Sequence, residues 1–99
     1  MVASLTHEAF SQSANSKFQA QGDDNTPVDL ELVNVTELKV YSQQEEFTLT
    51  FRGPLTPYLG QGVRNFSHDQ MGEFELFIVP IRQGAEGFYY EAVFNRIRD

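Results

Sequence analysis

Apolar and polar residues alternate along much of this chain, with the period of β-strands. Phe47, Leu49 and Phe51 interleave with Thr48, Thr50 and Arg52. That is the pattern of a strand with one face in a core and the other in water. Between residues 73 and 81, Phe74, Leu76 and Ile78 share one side. Glu73 and Glu75 face away from them at first, then Phe77, Val79 and Ile81. The first half of this strand is expected to be half-wet, and the second half apolar on both faces and therefore central. Residues 88–95 place Phe88, Tyr90, Ala92 and Phe94 on one face and Tyr89, Glu91, Val93 and Asn95 on the other. Shorter strands are expected at 17–21 and at 63–68, the latter with Arg64, Phe66 and His68 on one side.

The run 28–40 is less regular. Val28, Leu30 and Leu32 alternate strictly, then Val33 and Val35 take over, and Leu38 and Val40 close it. A one-residue slip of phase predicts a β-bulge or a change of sheet face at Leu32-Val33. Residues 5–14 form the one helical segment. Thr6 caps it, Leu5 and Phe10 have the spacing of a hydrophobic staple, and Glu8 suits the first turn.

Turn chemistry separates the strands. Residues 22–27 and 41–45 are polar loops, and 69–72 is a hairpin turn ending in Gly. Gly53-Pro54 ends one strand and opens the longest irregular stretch, to Gly62, whose Leu55, Tyr58 and Leu59 are placed to cover one end of a core. Pro80 limits pairing near the end of its strand. A five-residue link, 83–87, joins the last two strands, and the tail 96–99 is expected to fray. Short links join antiparallel neighbours. The expected fold is therefore mainly β, a small antiparallel barrel or curled sheet of five to six strands, with the short N-terminal helix closing one end.

The 99 residues make a single domain, 1–99. Nine Phe and four Tyr compensate for its small size, since aromatic rings bury large areas. The absence of Cys removes disulfides, thiolate chemistry and thiolate-ligated metals, and fits a cytoplasmic protein. The net charge of −7 argues against nucleic acid and against an anionic membrane surface as partners. The start has no signal-peptide pattern, and the longest apolar run, 77–81, is too short to cross a bilayer.

Catalytic patterns are missing: there is no serine elbow, no phosphate loop and no metal-ligand spacing of His7 and His68, so no catalytic residue, metal site or cofactor is expected. His7 reads as a solvated helix residue and His68 as structural. The carboxylates offer more, because Glu73 and Glu75 share a face and Glu91 is placed to lie across the hairpin from the 73–81 strand, where a carboxylate cluster could bind a hard cation or do acid–base work. An exposed acidic face is the simpler reading of the same residues. The candidate ligand- or partner-binding residues are Arg52, Tyr58, Tyr89, Glu91 and Asn95.

Three blocks together resemble a known family: Leu5-Thr6-His7-Glu8-Ala9-Phe10, then Phe51-Arg52-Gly53-Pro54 with Gln61-Gly62, then Glu75 to Ile81 followed by Tyr90-Glu91-Ala92-Val93-Phe94-Asn95. The family is one of small bacterial proteins that carries only a domain-of-unknown-function label. The resemblance implies no activity. The genes of its members often lie beside those of phage-tail-like or tail-collar-type proteins, and the resemblance thus implies an accessory role in a tail-like particle or surface assembly, with a tail-like structural protein as partner. The first functional expectation is thus a non-enzymatic interaction module. The second is a small-molecule or carbohydrate binder at a barrel mouth, using Tyr58, Tyr89, Arg52 and Glu91. The third is a carboxylate enzyme in which Glu91 and His68 converge. Oligomeric state is open, since free strand edges invite pairing.

Overall fold

The computed structural model describes residues 6–22 and 24–97. It contains a helix α1 (His7–Gln12) and seven strands: β1 (Lys17–Gln21), β2 (Pro27–Val35), β3 (Lys39–Tyr41), β4 (Gln44–Gly53), β5 (Gly62–His68), β6 (Gly72–Gly84) and β7 (Gly87–Ile97). The sheet order is β2-β1-β5-β6-β7-β4-β3, and β2 also pairs with β4. That extra pairing closes six strands into an antiparallel barrel and leaves β3 as an appendage on β4.

Alternation decides which side chains fill the barrel. Phe18 and Ala20, Val28, Leu30 and Leu32, Phe47, Leu49 and Phe51, and Tyr90 and Ala92 all point inward and are buried. Burying each large side chain contributes about 1.5–3 kcal/mol. The expected phase slip is present: β2 pairs Leu32 with Phe51 and Asn34 with Thr50, so Val33 is the extra residue of a bulge. The bulge lets β2 follow the closing curve of the wall.

Each end of the barrel is covered differently. At one end, Thr6 Oγ1 accepts from the Ala9 amide at 3.1 Å and starts α1. Phe10, fully buried, reaches from α1 over the barrel to Phe18, Phe47, Phe74 and Phe94, with ring centroids 5.2–6.5 Å away. His7 is not simply solvated: Nε2 lies 2.8 Å from the Thr36 carbonyl, and the ring meets Phe47 edge-on at 5.2 Å. At the other end, the segment 54–61 folds over the opening. Leu59 is 1% exposed, and its amide donates to Tyr90 Oη at 3.0 Å inside the core. Burial pushes the Tyr90 phenol pKa up, with the Leu59 amide opposing. Leu55 and Tyr58 stay largely exposed, so Leu59 alone seals this end.

Several expectations need correction. The helix is shorter than 5–14, ending at Ser13, whose amide bonds back into the last turn. Leu5 lies outside the described residues, so its staple does too. The run 28–40 is interrupted rather than continuous: β2 ends at Val35, Thr36 still bonds to Thr48, and β3 then pairs with β4 further along the same edge. The 83–87 link contracts to a two-residue turn, since Gly84 and Gly87 already pair. The tail does not fray before Ile97, which pairs with Gln44; Arg98 and Asp99 lie outside the described residues. Most consequentially, β6 is central in order but covered on one face only: Phe77 is 52% exposed. A barrel this small has a single interior, so residues apolar on both faces leave one face in water.

Candidate functional site

Outside the barrel, Arg52, Arg82 and Tyr89 form one cluster. Register makes it: β4 and β7 place Arg52 opposite Tyr89, and β6 and β7 place Arg82 opposite Tyr89. The Arg82 guanidinium carbon stands 3.9 Å above the Tyr89 ring, a cation–π contact. The Arg52 guanidinium bonds to the Tyr89 side chain and pairs with Glu31 at 2.5 Å and Glu86 at 3.3 Å. The Tyr89 bond first, and the Glu31 charge second, raise the Arg52 pKa further. Its donors are thus engaged by protein groups.

Arg52 borders a shallow cavity of about 600 Å3 on the outer wall of β1, β2 and β4, where Asp29, Glu31, Gln19 and Pro54 also contribute. Lys17 pairs with Asp29 there at 3.8 Å. A neighbouring groove of about 440 Å3 is lined by Gln19, Gln21, Asn65, Glu73 and Glu75. Both lie on the outside of the wall. A mouth-bound ligand, as the barrel-mouth expectation required, would have to displace Phe10 or Leu59.

The five candidate residues do not meet at one point. Tyr58 sits at the loop-covered end, its ring 4.7 Å from Phe88. Glu91 lies on the outer face, opposite Thr50 on β4 and Val79 on β6. Asn95 lies further along β7, opposite Glu46, and its side-chain oxygen accepts from Gln44. Arg52 and Tyr89 alone are in contact. The expected carboxylate cluster does not form, because Glu73 and Glu75 pair across to β5, against Ser67 and Asn65, and not across to Glu91. Among the described residues no group of three or more His, Asp and Glu is arranged to hold a metal ion.

His68 and Glu91 do not converge. His68 pairs with Gly72, whereas Glu91 pairs with Val79, seven residues along β6, which spans about 23 Å of strand. The His68 ring packs on the core ring of Phe18 at 4.2 Å. Its Nδ1 accepts from the amides of Gln70 and Met71, at 3.1 and 3.2 Å, and holds the β5–β6 turn. Nε2 therefore carries the proton and donates to Ser16 Oγ at 2.8 Å, which in turn donates to the Ser13 carbonyl. Both lone-pair and proton sites are structural.

The sequence did not single out Glu31, Arg82 or Glu86, which complete the Arg52 cluster. No local pattern marks them, since Glu31 lies on β2 and Arg82 and Glu86 lie on the β6–β7 hairpin, far from Arg52 in the chain. It also read Phe77 and Ile81 as buried. These two, with Val63 and Val93, are the large apolar residues exposed on the outer faces of β5, β6 and β7.

A family model, a domain of unknown function (DUF6916), matches residues 5–94. The chain belongs to this family. The match spans both end covers of the DUF6916 barrel, from the start of α1 through the Phe94 ring that Phe10 touches. Comparison with curated proteins and with solved structures returned no match. No helix of the described DUF6916 chain is long and apolar enough to cross a membrane.

Proposed function

We propose that this chain is a non-enzymatic protein-interaction module that docks through the outer wall of β5, β6 and β7. The observation that carries the reading is the exposure of Phe77, Val63 and Val93, at 52%, 61% and 56%. Val63 and Phe77 are direct cross-strand partners, so their exposed surfaces are contiguous. Exposed aromatic and branched residues side by side on a rigid wall favour a protein contact, and aromatic residues dominate such contacts energetically. The assembly we favour is the tail-like particle implied by the resemblance of its motifs.

A second reading, carbohydrate binding in the 600 Å3 cavity beside Arg52, draws support from that cavity's mixture of proline surface and planar polar groups. One experiment separates them. The purified chain is tested for binding to the product of the adjoining gene, beside a thermal-shift panel of sugars. The first reading expects a micromolar complex that the Phe77→Ser, Val93→Ser double variant weakens by about tenfold or more. An undiminished complex, or none at high micromolar concentration, overturns it. A sugar that raises the midpoint of the native chain but not of Arg52→Ala establishes the second.

A further inference from the structure

The ladder between β6 and β7 is incomplete. It runs from Gly84↔Gly87 to Val79↔Glu91 and stops. Residues 72–78 of β6 continue on β5 alone, and residues 92–97 of β7 continue on β4 alone. Two strand edges therefore face one another across a seam, each with a row of backbone groups outside the ladder. The helix does not supply the missing strand, because its backbone packs against β2 and only Phe10 reaches across. Beneath the seam lie Phe74 and Phe94, both only partly buried. On its outer lips stand Phe77 and Val93, more than half exposed.

Charge gives the seam a sign. Glu73 and Glu75 point outward along its β6 lip, and Glu91 points outward where the ladder stops. Among the described residues none of these three forms an ion pair, whereas Lys17 and Arg52 are paired elsewhere and Arg82 is held on Tyr89. The chain as a whole carries −7. A second copy would bring the same carboxylates against these.

We propose that the seam accepts an extended segment of a partner protein by strand addition, and that this segment alternates apolar residues with Lys or Arg. This deepens the interaction reading and rests on it. Backbone pairing with β6 or β7 supplies affinity, and alternation supplies specificity. Apolar side chains of the guest meet Phe74 and Phe94 on the inner face, while on the outer face its cations meet Glu73, Glu75 and Glu91 and lay their aliphatic stems on Phe77 and Val93. An open edge in an otherwise closed barrel is the kind of feature that invites pairing.

The test uses the whole isotope-labelled chain and three short synthetic peptides: alternating Lys and Val, alternating Glu and Val, and alternating Lys and Ser. The Lys–Val peptide is expected to shift the amide resonances of 73–78 and 92–97 and to slow their hydrogen exchange. The other two should leave them unchanged. Raising salt from low to about 0.5 M should weaken binding by about tenfold. The Glu75→Lys, Glu91→Lys variant should reverse the preference in favour of Glu–Val, which a merely hydrophobic contact would not do. The proposal is overturned if Lys–Val perturbs the Lys17–Asp29 surface or β3 instead, if nothing shifts at millimolar peptide, or if the seam amides become protected by concentrating the chain alone. Should the seam fail while Phe77→Ser with Val93→Ser still weakens the adjoining gene's product, strand addition falls and the interaction reading stands. Should those substitutions also do nothing, the interaction reading falls with it.

Discussion

The two ends of this barrel are closed by opposite means. One end takes a helix whose buried Phe10 meets four other phenylalanines. The other takes an irregular segment held by one buried hydrogen bond, Leu59 amide to Tyr90 Oη, beside a close backbone approach between Gly53 at the end of β4 and Gly87 at the start of β7. The first closure is dispersion and area, so it tolerates small shifts. The second depends on close approach and a specific donor, so it does not. A barrel can therefore be plugged by bulk at one end and by geometry at the other, and the two plugs should fail differently.

The harshest way to break the comparison is at the geometric end. Gly87 has φ of +152°, and a Cβ there would lie 1.9 Å from the Gly53 carbonyl oxygen. Gly87→Ala is expected to cost more than about 4 kcal/mol and, against a total of about 5–15, to leave little folded chain. A urea midpoint close to that of the native chain would show the β6–β7 turn to be compliant. At the bulk end, Phe10→Ala removes a fully buried ring and should cost about 3–5 kcal/mol, while Phe10→Leu should recover most of it. Equal losses for Ala and Leu would mean that ring geometry, not bulk, closes that end.

The smallest effect sharpens the contrast. Tyr90→Phe leaves the Leu59 amide without its partner and should cost about 1–3 kcal/mol at neutral pH. It should also alter the alkaline limb. The native-state pKa of Tyr90 is raised above its ordinary value of 10.0, so its contribution is present below pH 10 and is lost as pH climbs from there through the raised value. Stability measured from pH 8 upward should fall less steeply in the Phe variant than in the native chain. Identical limbs would remove Tyr90 as the source.

Much of this was legible in the chain. The strands at 47–52, 63–68, 73–81 and 88–95 follow from period-2 alternation, and the bulge at Val33 follows from a slip in that period. Thr6 announced its helix because capping is a local device. The Arg52 cluster was half legible. Arg52 and Tyr89 were visible as polar residues on outer faces, but their contact depends on register between β4 and β7, set by residues far along the chain. Gly53-Pro54 read as a strand terminator. In the fold Gly53 is also a clearance, since a Cβ there would sit 2.4 Å from the Leu30 side chain.

What the sequence determined by itself is everything governed by neighbours two to four residues apart: strand identity, inward and outward faces, the cap, the bulge, and the acidic, cysteine-free surface. What only the tertiary structure decided is how many walls those faces would meet. Phe77 and Ile81 looked like the second face of a buried strand, and the closure of β2 on β4 into one barrel left them outside. The end of the β6–β7 ladder at Val79↔Glu91 is likewise a matter of pairing between strands, which no pattern within either strand records. Alternation records which way a side chain points, but not whether anything is there to receive it.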